Sequence, residues 1–111
     1  MLRTAVPSTR AFVPSKHRGD RPGIARKLLR GSRDAEYTTL LRLEAGVRFP
    51  SYSHPAGEEL FVADGRIRIE GTWYEAGCYS YSPPGAVHDV LCDTGATMVI
   101  RMPGPGAIVE D

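Results

Sequence analysis

Residues 51–65 read SYSHPAGEELFVADG, and the spacing of a histidine, a glutamate and two glycines in this run decides the fold. In a strand, side chains two apart share a face, so Tyr52 and His54 project together. Glu58 shares parity with Leu60 and Val62, which places a carboxylate on the apolar side of its strand. Farther along, His88 shares parity with Val90 and Cys92 while Asp89 alternates to solvent. Two imidazoles and one carboxylate therefore point into one apolar interior. An unpaired buried carboxylate is costly, and a cation is the simplest compensation. Two histidines and one carboxylate with positions left open suit non-haem Fe(II), with zinc or manganese as alternatives.

Working outward, period-two alternation recurs in YTTLLRLE (37–44), ELFVAD (59–64), RIRIE (66–70), CYSYS (78–82), VHDVLC (87–92) and TMVIRM (97–102), each bounded by turn signals. GIARKLLR adds a further candidate strand, and its helical pattern is broken by Gly31. Many short strands at this spacing specify an all-β sandwich or barrel. Asp64-Gly65 is a two-residue hairpin signal, so 59–63 and 66–70 are expected to pair with each other. Ile67 and Ile69 face inward. Further turns are expected at Gly77 and at Pro83 to Gly85. Met98, Ile100 and Met102 read as core or pocket wall, and Trp73 as a pocket wall or a cap on the barrel. Of the two faces in 78–82, the small residues Cys78, Ser80 and Ser82 are assigned inward, and Tyr79 and Tyr81 to an interface.

With 111 residues the chain has room for a single core, burying about two thirds of its unfolded surface. Charge is uneven. Residues 1–33 carry nine Lys or Arg against one Asp, and residues 34–111 carry five against twelve acidic residues. Residues 1–22 are read as a basic N-terminal arm, mobile or swapped, and 23–111 as the barrel domain. The arm's basic residues are scattered with one aromatic among them, Phe12, so it is expected to pack on an acidic surface of its own chain or a partner's. Nucleic acid is not the expected partner. His17 in the arm reads as solvated. No stretch has the apolar core of a secretory signal or the roughly 18 apolar residues of a membrane span, and a cytoplasmic location is expected. Cys78 and Cys92 are too few and too oddly spaced for a disulfide framework or a zinc ribbon. Both read as buried free thiols.

The run Gly46, five residues, Tyr52, Ser53, His54, three residues, Glu58, six residues, Gly65 resembles the first signature of the cupin superfamily, G-x5-H-x-H-x3-4-E-x6-G. Gly77, five residues, Pro83, Pro84, Gly85, two residues, His88, three residues, Cys92 resembles the second, G-x5-P-x-G-x2-H-x3-N. HPAGEELFVADG looks especially like the cupin-like domain of anti-sigma factors and the acetylacetone-cleaving and dihydroxyacetophenone dioxygenases. The resemblance implies a small single-domain jelly-roll β-barrel, built into a homodimer, with one divalent metal in the lumen held by His54, Glu58 and His88.

Two positions depart from the pattern. Cys92 replaces an asparagine that is no ligand. Tyr52 stands where the first ligand histidine belongs, which leaves three readings. It binds as phenolate, which needs a metal such as Fe(III) to remove a proton with an ordinary pKa of about 10. It stays neutral and hydrogen-bonds water or substrate at the vacated position, acting there as the catalytic group that orients substrate or donates a proton. Or it fills a lumen that holds no metal. The function the resemblance implies is a metal-dependent dioxygenase acting on a diketone or hydroxy-ketone. The alternatives are a non-catalytic metal-binding sensor and a metal-free isomerase or cyclase.

Overall fold

The computed structural model describes residues 5–15 and 22–105 and the backbone of 107–108; His17 lies outside them. The described residues contain strands and turns and no helix. The strands are β1 Val13–Pro14, β2 Ile24–Gly31, β3 Tyr37–Leu43, β4 Arg48–His54, β5 Glu58–Ile69, β6 Thr72–Glu75, β7 Tyr79–Ser82, β8 Ala86–Leu91, β9 Ala96–Met102 and β10 Ala107–Ile108. They form one curled antiparallel sheet in the order β1-β2-β3-β9-β5-β8-β4-β10, with β6 and β7 both paired to β5. This is the small jelly-roll architecture of a single domain.

The long strand β5 is the hub. Its first half pairs with β9 and β7, and its second half with β6 and β8. Asp64-Gly65 is therefore not the hairpin that the sequence suggests. The strand runs through it, bulging between Val62 and Asp64, and changes partners there. Gly65 has φ +73°, and a Cβ at this position would fall 2.0 Å from the Gly95 carbonyl oxygen. Close packing at a barrel corner, rather than a chain reversal, is what this glycine serves. The reversal comes at Glu70-Gly71, where both residues have positive φ (49° and 80°) and Ile69 pairs with Thr72, as a type I′ hairpin requires.

Alternation sorts the core as expected. Leu60, Val62, Ile67, Ile69, Val90, Met98, Ile100 and Met102 are all buried. Cys92 is buried and Cys78 half-buried, correcting the expectation for the latter, and both are free. Trp73 neither walls the interior nor caps it. It sits 39% exposed under the Arg66 guanidinium, 4.3 Å from the ring centroid, and Arg66 also pairs with Asp93.

The described part of the arm lies against the sheet. β1 adds to the edge of β2. Phe12 lies 4.0 Å from the Arg42 guanidinium and 5.8 Å from Lys27 Nζ, as cation–π stacking does. Lys27 Nζ donates to the Ser8 carbonyl (3.3 Å) and Arg10 to that of Leu28 (3.2 Å).

The corner glycine gives a direct test. Gly65→Ala combines a positive φ with a backbone clash and is expected to destabilise by more than about 2 kcal/mol. Gly46→Ala, at φ +81° with no atom within 4 Å of the added methyl, is expected to cost only about 1–2 kcal/mol. Equal shifts in urea midpoints would contradict the corner role.

Candidate metal centre

The three predicted donors converge. His54 Nε2 and His88 Nε2 are 2.9 Å apart, and Glu58 Oε1 lies 3.7 Å from the first and 3.6 Å from the second. All three side chains are buried. Their placement follows from two turns and one register. The N–H groups of Gly57 and Gly85 both donate to the His54 carbonyl, at 3.0 and 2.8 Å, so the turn that follows β4 and the turn that precedes β8 are tied to one atom. The first turn spaces His54 and Glu58 four residues apart across the start of β5. Register does the rest: Tyr52 lies opposite His88 on β8, and Glu58 opposite Ser82 on β7. Ser82 Oγ is 3.3 Å from His88 Nε2, which bears out the inward assignment of the small face in 78–82. Tyr79 and Tyr81 are exposed.

Tyr52 joins the cluster without facing it as a donor atom. Its O–H donates to Glu58 Oε2 at 2.6 Å, within the range of a charge-assisted O–H···O⁻ bond. Burial, and then the Glu58 charge and hydrogen bond, push its phenol well above the ordinary value of 10.0. Without a metal the phenol keeps its proton and spends it on Glu58. It also packs edge-on against His54 (4.2 Å between centroids), His88 (5.5 Å) and Phe49 (5.0 Å).

The imidazoles titrate apart. Burial lowers His54 below 6.5, with the Glu58 charge opposing it. Burial also acts on His88, but the adjacent Glu58 carboxylate and the Asp89 carbonyl outweigh it and raise the group above 6.5. His88 Nδ1 lies 3.2 Å from that carbonyl. A proton held there leaves the Nε2 lone pair aimed into the cluster.

This donor set fits a metal ion. Atoms bound at about 2.1 Å lie about 3.0 Å apart at right angles and about 3.4 Å apart at tetrahedral angles; the observed separations of 2.9, 3.6 and 3.7 Å bracket these. Two nitrogen lone pairs at 2.9 Å need a proton or a cation between them. The Asp89 carbonyl supplies the outer contact that orients a ligating histidine.

Residues 5–105 match the ChrR Cupin-like domain. The chain belongs to this cupin family. The same fold recurs in an acetylacetone dioxygenase from Acinetobacter johnsonii, with a TM-score of 0.80 at 22% identity over 100% of this chain and 83% of that one. It recurs in the Rhodobacter sphaeroides complex of SigE with the anti-sigma ChrR, with a TM-score of 0.64 at 18% identity over 72% of this chain. A Ralstonia eutropha protein of unknown function with a cupin-like fold gives 0.68 at 18% identity over 74% of this chain. The cupin chain spans 56% of the Ralstonia protein and 45% of the chain matched in the SigE–ChrR complex. No curated protein sequence matches it.

Two contributors to this cupin site escape sequence reasoning. One is the use of the Tyr52 hydroxyl by Glu58, for which parity gives the face but not the partner. The other is Ser82, whose Oγ lies 3.3 Å from His88 Nε2: parity turns it inward without naming that neighbour. Among the described residues no helix is long and apolar enough to cross a membrane.

In the metal-free protein, an NMR titration of the imidazole Cε1–H signals should place His88 above 6.5 and His54 below it. Glu58→Gln removes the charge that does most to raise His88, leaves its burial and its Asp89 contact, and should lower it. A His88 value that does not move in the variant would contradict this electrostatic account.

Proposed function

We propose that the chain is a cytoplasmic metal-dependent cupin enzyme, a dioxygenase that cleaves a carbon–carbon bond of a small diketone or hydroxy-ketone. The observation that carries this reading is the meeting of His54 Nε2, His88 Nε2 and Glu58 Oε1 inside a buried lumen. These residues would hold one divalent ion, Fe(II) first, with zinc or manganese as alternatives. When bound, such an ion supplies a Lewis acid for the substrate's oxygens and, as iron, electrons for dioxygen. In the overall change one carbon–carbon bond breaks and both atoms of dioxygen are retained in the two products.

The protein's own residues account for the rest. Three donors leave positions open, as catalytic sites do and closed structural sites do not. Leu60, Val62, Val90 and Met98 are buried with Tyr52 in one apolar core. The fold shared with an acetylacetone dioxygenase over the whole chain supports the substrate class.

A second reading is a zinc-binding sensor without catalysis, favoured by the family match to the ChrR cupin-like domain. We place a homodimer contact on the outer sheet face, where Phe61, Tyr79 and Tyr81 are 42, 57 and 58% exposed beside Glu59 and Arg101, which are cross-strand neighbours of opposite charge. A two-fold axis would bring such a pair onto its own complement.

Protein purified without chelator should carry close to one equivalent of metal, and His88→Ala should lose most of it; retention would show the ligand assignment to be wrong. The iron-loaded protein should consume oxygen with a panel of 1,3-diketones and hydroxy-ketones. Metal retention without any oxygen uptake would leave the sensor. Phe61→Lys with Tyr81→Lys should halve the sedimentation mass, and an unchanged mass would move the dimer contact elsewhere.

A further inference from the structure

The Glu58 carboxylate divides its oxygens. Oε1 faces the two imidazole nitrogens at 3.6 and 3.7 Å, and Oε2 accepts the Tyr52 hydroxyl at 2.6 Å. A carboxylate left to itself can offer a metal one oxygen or both, and rotation about its last bond exchanges them. Here rotation would break a charge-assisted hydrogen bond between buried side chains. The phenol is equally constrained. Its ring is wedged edge-on against Phe49, His54 and His88, and Tyr52 lies directly across the β4–β8 ladder from His88.

We propose that Tyr52 is a positioning residue that holds Glu58 as a single-oxygen donor, and that it does so from the place where the cupin motif carries a further histidine. This rests on the assignment of His54, Glu58 and His88 as ligands, and it replaces direct action on substrate, the role the sequence suggests for Tyr52. The site then keeps three protein donors and more open positions than a four-ligand cupin, without the carboxylate closing one of them by binding through both oxygens. Loss of an outer hydrogen bond to a ligand weakens metal affinity by about 10- to 100-fold.

The test uses Co(II) as probe on the full chain. Tyr52→Phe keeps the ring and removes only the hydroxyl. It should weaken Co(II) binding by about 10- to 100-fold and shift the visible d–d bands, because Glu58 becomes free to offer both oxygens. Thermal unfolding of the metal-free variant checks that it folds. Unchanged affinity together with an unchanged Co(II) spectrum would overturn the proposal. The wild-type protein gives a second measurement that needs no variant to fold: Fe(III) loading should produce no phenolate-to-iron charge-transfer absorption, and a band that Tyr52→Phe abolishes would make Tyr52 a ligand and overturn the positioning role. His88→Ala separates the two levels of the argument. If it abolishes Co(II) binding while Tyr52→Phe leaves binding and spectrum untouched, the ligand set stands and the positioning role falls; if binding survives His88→Ala, the ligand set itself is wrong.

Discussion

The structure depends on how one buried negative charge is accommodated. Glu58 is 2% exposed and opens the strand to which β6, β7, β8 and β9 all pair, so it cannot move toward solvent without disturbing both halves of the sheet. A hydrogen bond to an ionised group is worth about 1.5–3 kcal/mol, and Tyr52 provides one. The two imidazoles face the other oxygen, and the rise of His88 above 6.5 is the same attraction seen from the histidine side. An apolar residue at position 58 would remove the desolvation cost altogether. Folding alone therefore gives no reason for a carboxylate here, which is what a role in binding a cation, as proposed above, would supply.

The backbone around the cluster is as constrained as its side chains. One carbonyl oxygen, that of His54, accepts from both Gly57 and Gly85. These glycines belong to different turns, each has φ of +87°, and the methyl of an alanine at Gly57 would stand 3.1 Å from the Ser82 carbonyl oxygen. The two segments that supply the imidazoles are thus fixed to each other through main chain, so the 2.9 Å separation of the rings does not rest on side-chain packing alone. The motif spacings have the same origin. Four residues from His54 to Glu58 are what a tight turn leading into β5 needs, and three from Gly85 to His88 carry the chain from its turn to the ring position opposite Tyr52.

Most of the fold was legible because alternation is strong wherever one strand face is buried. β3, β8 and β9 and the inward isoleucines of β5 follow from period two alone. Where both faces are partly exposed the signal disappears: Thr72–Glu75 has no buried residue, so β6 had to come from the structure, and with it the true partner of residues 66–69. The Asp64-Gly65 error has a related cause. A glycine at positive φ serves a two-residue turn and a strand corner equally well, and only the Gly95 carbonyl pressed against it distinguishes them; that contact spans thirty residues of sequence. Trp73 was misplaced because aromatic size suggests burial, whereas a guanidinium stacked on its face lets it remain half in water. At the site, parity gave the face of every donor, but the partner of the Tyr52 hydroxyl depends on a bend of the chain that local sequence does not encode.

Replacing a histidine ligand by tyrosine looks at first like the loss of a metal site, and the surrounding chemistry argues otherwise. A phenol that only filled space would need no acceptor and would gain nothing from lying beside a charge. Phenylalanine would serve as well, without a hydroxyl to bury. Tyr52 instead makes a short bond to the one oxygen of Glu58 that the histidines do not face, and the three donor atoms stay at separations compatible with a common cation. What changes is the number of protein atoms available to an ion, not the sign or focus of the field that would attract it. A centre with fewer protein donors, a fixed carboxylate and an apolar surround retains the open positions that reaction chemistry requires and a structural site would have closed.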